Sequence, residues 1–520
     1  MPRIHLVSNL PGVGALGDHL RAAGLGPTSA RSADALLVLI DRPLDSVEQE
    51  LLDRARQSVP VLLAGPTVRA LPVDSPLVEA SGLIPGRAVP PHVLALSTGP
   101  DGGQVAARMG EFHPYDSWVL PDKIADDVER LLLVRHEMAE YPVCTWRPST
   151  GLGMFTLGTT ASTLADPAYH RLVGRWLRHA LGVRDAGPIG VGLLATPGTS
   201  AAHQAALEAT EGLNLVAVSG SQPDPDGTVR GYAEADDLVA DPDVRLVVVG
   251  TPNNTRAQWA SRALEAGKDV VIAAPFALST QEADDLALLA AARSSLVVMY
   301  PQLREDPAYR GLRAAVGRGA VGDIFSVEVT RGGFNRPSGG WRDDERTSGG
   351  LIHERGFAHL DWLLDLVDEP VETVVATTHK RVWHHVTNAD HARILLRFAD
   401  GAEAQLVLSD VLPTSTARLR VLGTAGALSA DDPAGVPGGG ADALAAAAAG
   451  PLTLVTHDGA TTRLPLPAAG GSPFYRDLAD GLLSGWPLSP YRVETARKVV
   501  AVAEAATRSA AAGGVQIGPA

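Results

Sequence analysis

Five short apolar segments between residues 189 and 300 constrain the fold of this chain more than any other feature. They read IGVGLLA, LNLVAVSG, VRLVVVGTP, DVVIAAP and LVVMY, and helical patterns separate them. Nearly continuous runs of Val, Ile and Leu are typical of strands that helices cover on both faces of a parallel sheet. We therefore predict an α/β domain with a parallel sheet over residues 189–310.

The flanking regions have different patterns. Residues 1–185 alternate apolar runs such as ALLVLI and VPVLLAG with helical segments, and they end in a helical stretch that Gly182 closes, which predicts another α/β domain. Residues 311–520 alternate apolar and polar positions in IFSVEVTRGG, VETVVATTHK and HARILLRFA. This period of two predicts an α+β domain with a large, mostly antiparallel sheet and one wet face. The stretch 431–450 is of low complexity and predicts a loop, and a final helix is expected over Val493–Ala512.

Charge and cysteine content exclude several classes of function. The chain has 520 residues, enough for about three domains, and a net charge of −15, so we expect neither a nucleic-acid partner nor a membrane partner. The single cysteine, Cys144, excludes an intrachain disulfide and a cysteine-based zinc site. The sequence shows no leader pattern and no apolar run long enough to cross a membrane, so we expect a cytoplasmic protein.

A strand, tight turn and helix at 189–210, followed by a strand that ends near 220, mark the position where a Rossmann unit holds a dinucleotide. Matching segments extend further along the chain: TPNN, ALEAGKDVVIAAP, LREDP, GRGAVGDI, SGGLIHERGFAHLD and VLGTAGAL. With these segments, residues from about 190 onward resemble the Gfo/Idh/MocA (glucose–fructose oxidoreductase / inositol dehydrogenase) family. The resemblance implies a Rossmann domain followed by a sheet domain for substrate, NAD(P) as cofactor and a sugar, inositol or related polyol as substrate. It also implies a homo-oligomer that forms through the C-terminal sheet.

The N-terminal region resembles the ThuA-like (trehalose-utilisation) family, whose fold is flavodoxin- or amidotransferase-like. The segments that carry this resemblance are VEQELLDRARQSVPVLLAG, YPVCTWRPSTGLGMFTLGTT and ADPAYHRLVGRWLRHALG. An amidotransferase needs a cysteine nucleophile on a strand-to-helix turn. The turn after VPVLLA offers Gly65 and Pro66, so we expect no glutaminase activity, and we expect Cys144 to be a small buried residue.

The expected cofactor turn departs from the family pattern. The family's three glycine positions fall on Ala195, Pro197 and Ser200, and the acidic ribose position falls on Gly220. A turn rebuilt around Gly198 and an NADP-type pocket are open, as is the absence of any cofactor. The predicted cofactor-binding residues are Thr196, Gly198, Ser219, Ser221, Thr251, Pro252, Asn253, Pro275 and Gln302.

The catalytic motifs also depart from the family. Its Glu-Lys-Pro lysine and its motif histidine fall on Ala274 and Ala358. Glu354, His359 and Asp361 are therefore the candidate catalytic residues. His359 follows the histidine position by one residue, a turn of about 100° on a helix, so it replaces that histidine only if the segment is locally re-registered.

Polar and aromatic side chains downstream predict a polyhydroxyl-binding surface, with a plain solvated sheet face as the alternative. The predicted substrate-binding residues are Trp341, Arg342, His353, His385, Asn388, Asp390 and His391. The histidines between 353 and 391 lack metal-ligand spacing, so no metal is expected. For Arg304 and Asp306, a structural ion pair and a place beside the nicotinamide are both open.

Three functions remain open from the sequence. The first is NAD(P)-dependent oxidation or reduction of a sugar-like substrate, with Glu354 or His359 as the base. The second is a catalytically silent paralogue that binds a sugar-like ligand or a partner subunit, because the glycine turn, the lysine and the histidine are absent. The third is a cofactor-free isomerase or lyase that uses Glu354 and neighbouring histidines.

Overall fold

The chain divides into two compact units. The computed structural model describes residues 2–10, 13–22, 25–29, 32–110, 112–184, 187–220, 228–431, 452–466, 472–485 and 493–519. The first unit comprises Met1–Gly187 with Arg476–Leu488, and the second comprises Pro188–Tyr475 with Ser489–Ala520. The predicted low-complexity loop lies outside the described residues from position 432 onward.

The first unit is built on an eight-stranded mixed sheet with strand order β2-β1-β3-β4-β10-β9-β8-β6. The strands of that sheet are β1 (Arg3–Ser8), β2 (Gly26–Pro27), β3 (Ala35–Leu39), β4 (Val61–Ala64), β6 (Leu96–Thr98), β8 (Glu129–His136), β9 (Ala139–Arg147) and β10 (Leu152–Phe155). Two further strands, β5 (Leu83–Val93) and β7 (Tyr115–Ile124), form a separate antiparallel pair. The helices of this unit are α1 (Val13–Ala22), α2 (Ser46–Ala55), α3 (Pro66–Ala70), α4 (Pro76–Ser81), α5 (Gly103–Ala106), α6 (Ala161–Ala165) and α7 (Pro167–Ala180). Strands β3, β4 and β10 are buried along their whole length, as their apolar runs predict.

A sharp turn joins β4 to α3 in this unit. Gly65 occupies the turn with φ 56° and ψ −129°, a conformation that residues with a side chain rarely adopt. A Cβ on Gly65 would lie 2.6 Å from the carbonyl oxygen of Gly158, so the turn has no room for a nucleophilic side chain. Cys144 is fully buried on β9, and burial raises the pKa of its thiol.

The second unit begins with a six-stranded parallel sheet of order β13-β12-β11-β14-β15-β16. Its strands are β11 (Ile189–Ala195), β12 (Leu213–Ser219), β13 (Arg230–Tyr232), β14 (Leu246–Gly250), β15 (Asp269–Ala273) and β16 (Val297–Tyr300). Its helices are α8 (Pro197–Glu208), α9 (Ala235–Ala240), α10 (Asn253–Glu265), α11 (Thr280–Arg293) and α12 (Pro307–Gly317). The five apolar segments of the sequence form β11, β12, β14, β15 and β16, as predicted. The carboxyl ends of these strands form one edge of the sheet, where α/β folds bind their ligands.

An eight-stranded sheet follows, with order β18-β19-β20-β17-β21-β22-β23-β24 and a single parallel pair, β17 with β20. Its strands are β17 (Ile324–Phe334), β18 (Val371–His379), β19 (His391–Phe398), β20 (Glu403–Ser409), β21 (Val411–Gly423), β22 (Gly426–Asp431), β23 (Leu452–Thr456) and β24 (Thr461–Leu464). The helices here are α13 (Glu345–Ser348), α14 (Phe357–Val367), α15 (Pro473–Ser484) and α16 (Val493–Ala511), and a π-helical turn covers Ile352–Gly356. Along β19 buried and exposed positions alternate, as the period of two predicts. The mixed α/β architecture with large sheets is the predicted fold class.

Helix α15 is divided between the units, with Arg476 and later residues grouped with the first. Within that unit Asp480 is fully buried and accepts from Arg108 Nε at 2.6 Å and from a guanidinium nitrogen of Arg175. A buried carboxylate must be paired in this way, because desolvating an isolated charge is costly. The sequence predicts one domain over residues 311–520, whereas Arg476–Leu488 cluster with the N-terminal unit.

Among the described residues, no helix combines the length and the apolar character needed to cross a membrane.

Candidate active site

The turn between β11 and α8 packs against the end of β14. Thr196 N donates to the carbonyl oxygen of Gly250 at 3.3 Å, and the Thr196 and Thr199 hydroxyls lie 3.2 Å apart. A Cβ on Gly250 would lie 2.9 Å from the Thr199 methyl group, so this glycine allows the turn to approach the strand. The first turn of α8 therefore presents hydroxyl groups at the helix end that attracts anions.

A buried cation occupies the carboxyl ends of β14 and β15. Arg256 on α10 is 3% exposed, and its Nε donates to the carbonyl oxygen of Thr251 at 2.8 Å. Its Nη1 lies 3.3 Å from the carbonyl oxygens of both Ala273 and Pro275, the two residues that flank Ala274. Burial lowers the pKa of the guanidinium to about 10, and the Glu354 carboxylate opposes that shift.

Glu354 lies in the π-helical turn and is hydrogen-bonded to α10 and to the short turn that carries Arg342. Its Oε2 accepts from Asn253 Nδ2 at 2.8 Å, and its Oε1 accepts from Arg342 Nε at 2.8 Å. Burial raises the pKa of the Glu354 carboxyl, while Arg342, Arg256 and Asn253 act in the opposite direction. A π-helical turn inserts one residue into a helix and is frequent at functional sites.

Glu354 also lines a cavity of about 490 Å³ beside the β17–β20 end of the C-terminal sheet. The lining is Phe334, Asn335, Arg336, Pro337, Ser338, Arg342, Asp343, Leu351, Glu354, Arg355, Trp383, Val386, Asn388, Ala389, Asp390 and Asp410. The rings of Phe334 and Trp383 lie 5.2 Å apart and form an apolar wall. Carboxylates, amides and guanidiniums form the remainder, a combination suited to hydroxyl-rich ligands.

Two carboxylates of the cavity have distinct environments. Asp410 accepts from Asn335 Nδ2 at 2.9 Å and lies 3.1 Å from Arg355 Nε, and burial raises its pKa. Burial would also raise the pKa of Asp390, but the backbone amides of Arg381, Val382 and Trp383 donate to its carboxylate and hold that pKa below the usual value.

The other two predicted catalytic residues lie in the interior. His359 is 1% exposed, its Nδ1 is 3.0 Å from the Arg355 carbonyl oxygen, and burial lowers its pKa to about 3. A π-helical turn precedes α14, and the His359 ring is buried. Asp361 is 2% exposed and pairs with Arg304 through both carboxylate oxygens.

Arg304 and Asp306 have different partners in the structure, so no ion pair between these two residues is observed among the described contacts. Arg304 belongs to a buried ion pair with Asp361 and also contacts Asp365. Asp306 is the N-cap of α12, where its carboxylate accepts from the amides of Ala308 and Tyr309. Both residues stabilise the fold.

The predicted cofactor residues within the described structure all lie at the carboxyl-end edge of the parallel sheet. Thr196 and Gly198 follow β11, Ser219 ends β12, Thr251, Pro252 and Asn253 follow β14, Pro275 follows β15 and Gln302 follows β16. Ser221 lies outside the described residues. Gly220 has φ 71° and no carboxylate, so an acidic contact to a ribose is missing at this position.

The predicted substrate residues divide between the cavity and its surroundings. Arg342, Asn388 and Asp390 belong to the described lining. Trp341 stacks under the Arg342 guanidinium at 4.5 Å, and His353 is buried against the Gly349 carbonyl oxygen. His385 contacts the edge of Trp383, and His391 stacks on His379 across β18 and β19. Within the described part of the chain, no group of three or more His, Cys, Asp or Glu is arranged to hold a metal ion.

Sequence reasoning missed Arg256 and Asp410. Arg256 follows Asn253 by three residues on one face of α10, a spacing that could have signalled a shared location. Asp410 stands one residue after β20, at a strand end, which is a recurrent location for functional side chains.

Known proteins resemble the second unit in sequence and structure. Residues 186–300 match the oxidoreductase family with an NAD-binding Rossmann fold, and residues 309–429 match the GFO/IDH/MocA C-terminal domain. An uncharacterized oxidoreductase of Schizosaccharomyces pombe is 30% identical over 169 residues, which cover 32% of this chain and 46% of that protein. The scyllo-inositol 2-dehydrogenase (NADP(+)) IolW of Bacillus subtilis is 24% identical over 294 residues, covering 53% of this chain and 79% of that enzyme.

A solved structure has a similar fold over part of this chain. The crystal structure of GenD2 from gentamicin A biosynthesis in complex with NAD has a TM-score of 0.52 and 26% identity, covering 64% of this chain and 97% of that one. The chain spans about half the length of the first curated relatives that it matches. Residues 186–300 and 309–429 are therefore similar to the NAD-binding and C-terminal domains of the Gfo/Idh/MocA oxidoreductase family.

Proposed function

We propose that this protein oxidises or reduces a sugar-like or other polyhydroxylated small molecule with NAD(P), and that Glu354 exchanges the hydroxyl proton. The observation that carries the proposal is the double contact of Glu354. Its carboxylate lines the polar cavity and is hydrogen-bonded to Asn253. Asn253 begins α10 at the carboxyl-end edge of the parallel sheet, which we call the nucleotide edge. One carboxylate thus lies where a substrate hydroxyl and a nicotinamide would meet.

The residues at the nucleotide edge fit a dinucleotide, although the glycine turn is absent. The N-cap and the first turn of α8 carry the hydroxyls of Thr196 and Thr199, and Arg342 Nη2 lies 3.5 Å from the Thr199 hydroxyl. Hydroxyl donors, a guanidinium and a helix N-terminus together suit a diphosphate. Asn253 is 2% exposed, and its Oδ1 has no hydrogen-bond partner, so a ligand donor would satisfy it. Ser219 would face the adenosine ribose in place of a carboxylate.

Bound nicotinamide supplies the hydride acceptor or donor in this scheme. The chain supplies the proton chemistry: the Glu354 carboxylate accepts the hydroxyl proton during oxidation and returns it during reduction. Arg256 is fixed by three carbonyl oxygens and provides a permanent positive charge near Glu354. In the resembled family a lysine and a histidine stand at the positions of Ala274 and Ala358. In this chain Glu354 takes over the proton transfer, and Arg256 supplies the positive charge.

The cavity suits a hydroxylated ring. The Phe334–Trp383 wall can pack against the apolar face of a sugar or cyclitol, while Asn388, Asp390 and Asp410 offer acceptors and donors to its hydroxyls. The related IolW enzyme is named for scyllo-inositol oxidation, which supports a cyclitol as the first substrate class to test.

The test compares turnover of the wild type with Glu354→Gln and Glu354→Asp. Nicotinamide absorbance would be followed with NAD and NADP against a panel of inositols and aldoses. Loss of a general base typically lowers the rate by about 10²–10⁴-fold, so Glu354→Gln should lose activity while retaining the cofactor. The matched control is Glu345→Gln, a neighbouring glutamate outside the cavity lining. Unchanged turnover in Glu354→Gln would refute the proposed base.

A second candidate function has its own support. Ala274 and Ala358 provide only methyl groups where the resembled family has its lysine and histidine, which favours a silent, ligand-binding paralogue. If the wild type binds both the cofactor and a polyol but converts no substrate, this result would favour the silent paralogue. If the protein converts a polyol after its cofactor has been removed, this result would instead indicate a cofactor-free isomerase or lyase.

We further propose that the first unit is a ThuA-like domain without amidotransferase chemistry. Its support is the Gly65 turn, which has the place of a nucleophile elbow and no space for a side chain. We also propose self-association through the outer face of the C-terminal sheet, where Arg393, Leu395 and Arg397 of β19 are exposed. Light scattering of the purified protein measures its molar mass in solution and so tests whether it self-associates.

A further inference from the structure

Arg342 contacts two different parts of the site at once. Its Nε donates to Glu354 Oε1 at 2.8 Å, and its Nη2 lies 3.5 Å from the Thr199 hydroxyl in the first turn of α8. The guanidinium is stacked over the Trp341 ring at 4.5 Å, and the side chain is 32% exposed. The same cation therefore lies beside the carboxylate and beside the helix end that suits a diphosphate.

The second guanidinium beside Glu354 is held differently. Arg256 is buried, and three backbone carbonyl oxygens accept from it. Leaving that position would break all three hydrogen bonds inside the protein, so Arg256 is held in place. Arg342 has one short ion pair, one long contact, the ring contact with Trp341 and partial access to solvent, so its rearrangement costs less than that of Arg256.

We propose that Arg342 is a shared cation that pairs with Glu354 in the free protein and transfers to the diphosphate of the nucleotide at the first turn of α8. This inference rests on the proposed function, because it needs a dinucleotide at that edge. Departure of Arg342 would leave the Glu354 carboxylate with Asn253 and Arg256. Nucleotide binding would thereby release the proton acceptor from its ion pair before the substrate reacts.

Competition for one cation has a thermodynamic signature. If Glu354 and the diphosphate compete for Arg342, removing the Glu354 charge must strengthen nucleotide binding. Removing Arg342 must weaken it by about tenfold, the effect of one charge-assisted hydrogen bond. The Glu354 substitution should then have little effect in a background that lacks Arg342, since the remaining cation, Arg256, is fixed and is not shared with the nucleotide.

The experiment is a double-mutant cycle of dissociation constants by calorimetry. The proteins are the wild type, Glu354→Gln, Arg342→Gln and the double variant, titrated with NADH, NADPH and ADP. We expect Glu354→Gln to bind each nucleotide about threefold or more tightly, and the double variant to match Arg342→Gln. The control is Arg262→Gln, which removes an exposed, paired cation from α10 in the same unit. Its affinity should stay within about twofold of wild type.

Trp341 provides a second readout that needs no turnover. When the Arg342 guanidinium leaves the Trp341 ring, the tryptophan fluorescence should change on addition of nucleotide. This change should vanish in Trp341→Phe, which retains the other seven of the eight tryptophans. Equal affinity of wild type and Arg342→Gln, or weaker binding in Glu354→Gln, would overturn the shared cation while leaving the proposed function intact. Binding of ADP with the predicted cycle but no binding of NADH or NADPH would retain the shared cation and refute the oxidoreductase.

Discussion

Arg304 donates from Nε and Nη2 to the two carboxylate oxygens of Asp361, at 2.7 and 2.6 Å, in the interior of the second unit. Both side chains are less than one-tenth exposed, so the pair is desolvated. This geometry assigns Asp361 a stabilising role in the fold and separates it from Glu354, seven residues earlier, whose carboxylate reaches the cavity.

Asp361→Asn should therefore destabilise the protein. The change leaves the Arg304 guanidinium with Asp365 as its remaining carboxylate, and we expect a loss of about 2–3 kcal/mol in the free energy of unfolding. Urea unfolding measures this loss. Glu328→Gln, which breaks the exposed pair with Arg420, should cost less than about 1 kcal/mol. Equal stability of the two variants would contradict the buried-pair account.

Gly65→Ala should destabilise the first unit. The φ and ψ angles of Gly65 are unfavourable for any side chain, and the new Cβ would press on the Gly158 carbonyl oxygen, so we expect a cost of about 3 kcal/mol. Gly103→Ala is the matched control, because nothing lies within 4 Å of a Cβ there. Thermal unfolding of both variants distinguishes them. If Gly65→Cys were fully stable and had glutaminase activity, the claim that this turn has no room for a side chain would be wrong.

Acid should weaken the fold through its buried histidines. Burial lowers the pKa of His203 to about 4 and of His359 to about 3, whereas an unfolded histidine titrates near 6.5. The unfolded state therefore binds protons first, and stability is lost as pH falls from about 6.5 towards 4. Each histidine contributes on the order of 3 kcal/mol to this loss. Denaturant unfolding across that range should show a shallower decline in His359→Met, and an unchanged pH dependence would count against a buried, neutral His359.

The pH dependence of oxidation should report Glu354. The carboxylate is the proton acceptor and burial raises its pKa, so the oxidation rate should fall as pH decreases through a value above the ordinary glutamate pKa of about 4.3. Glu354→Asp should retain this acidic limb, and Glu354→Gln should lose it. An acidic limb that persists unchanged in Glu354→Gln would assign the proton transfer to another group.

Local patterns predicted the secondary structure well. The strands of the Rossmann sheet follow from apolar runs, because a strand covered on both faces must be apolar along its length. The period of two predicted the exposed and buried sides of β19, and Gly182 follows α7 as expected. The location of candidate residues at strand ends could also be predicted, because parallel strands bring their carboxyl ends to one edge of the sheet.

Long-range partners were not predictable. Glu354 and Asn253 are separated by 101 positions, and nothing near either residue indicates that they are hydrogen-bonded. His359 and Asp361 lie close to Glu354 in sequence, yet tertiary packing places both in the interior. Likewise, the helical pattern around Asp480 does not reveal that this carboxylate meets Arg108 and Arg175 of the N-terminal unit.

The most direct test of the central claim is calorimetric titration of the cofactor-stripped protein with NADH and with NADPH. The account predicts micromolar binding of at least one of them, because hydroxyls, a helix N-terminus and Arg342 converge where the glycine turn is missing. No detectable heat up to millimolar nucleotide would contradict it and would remove NAD(P) chemistry from this site.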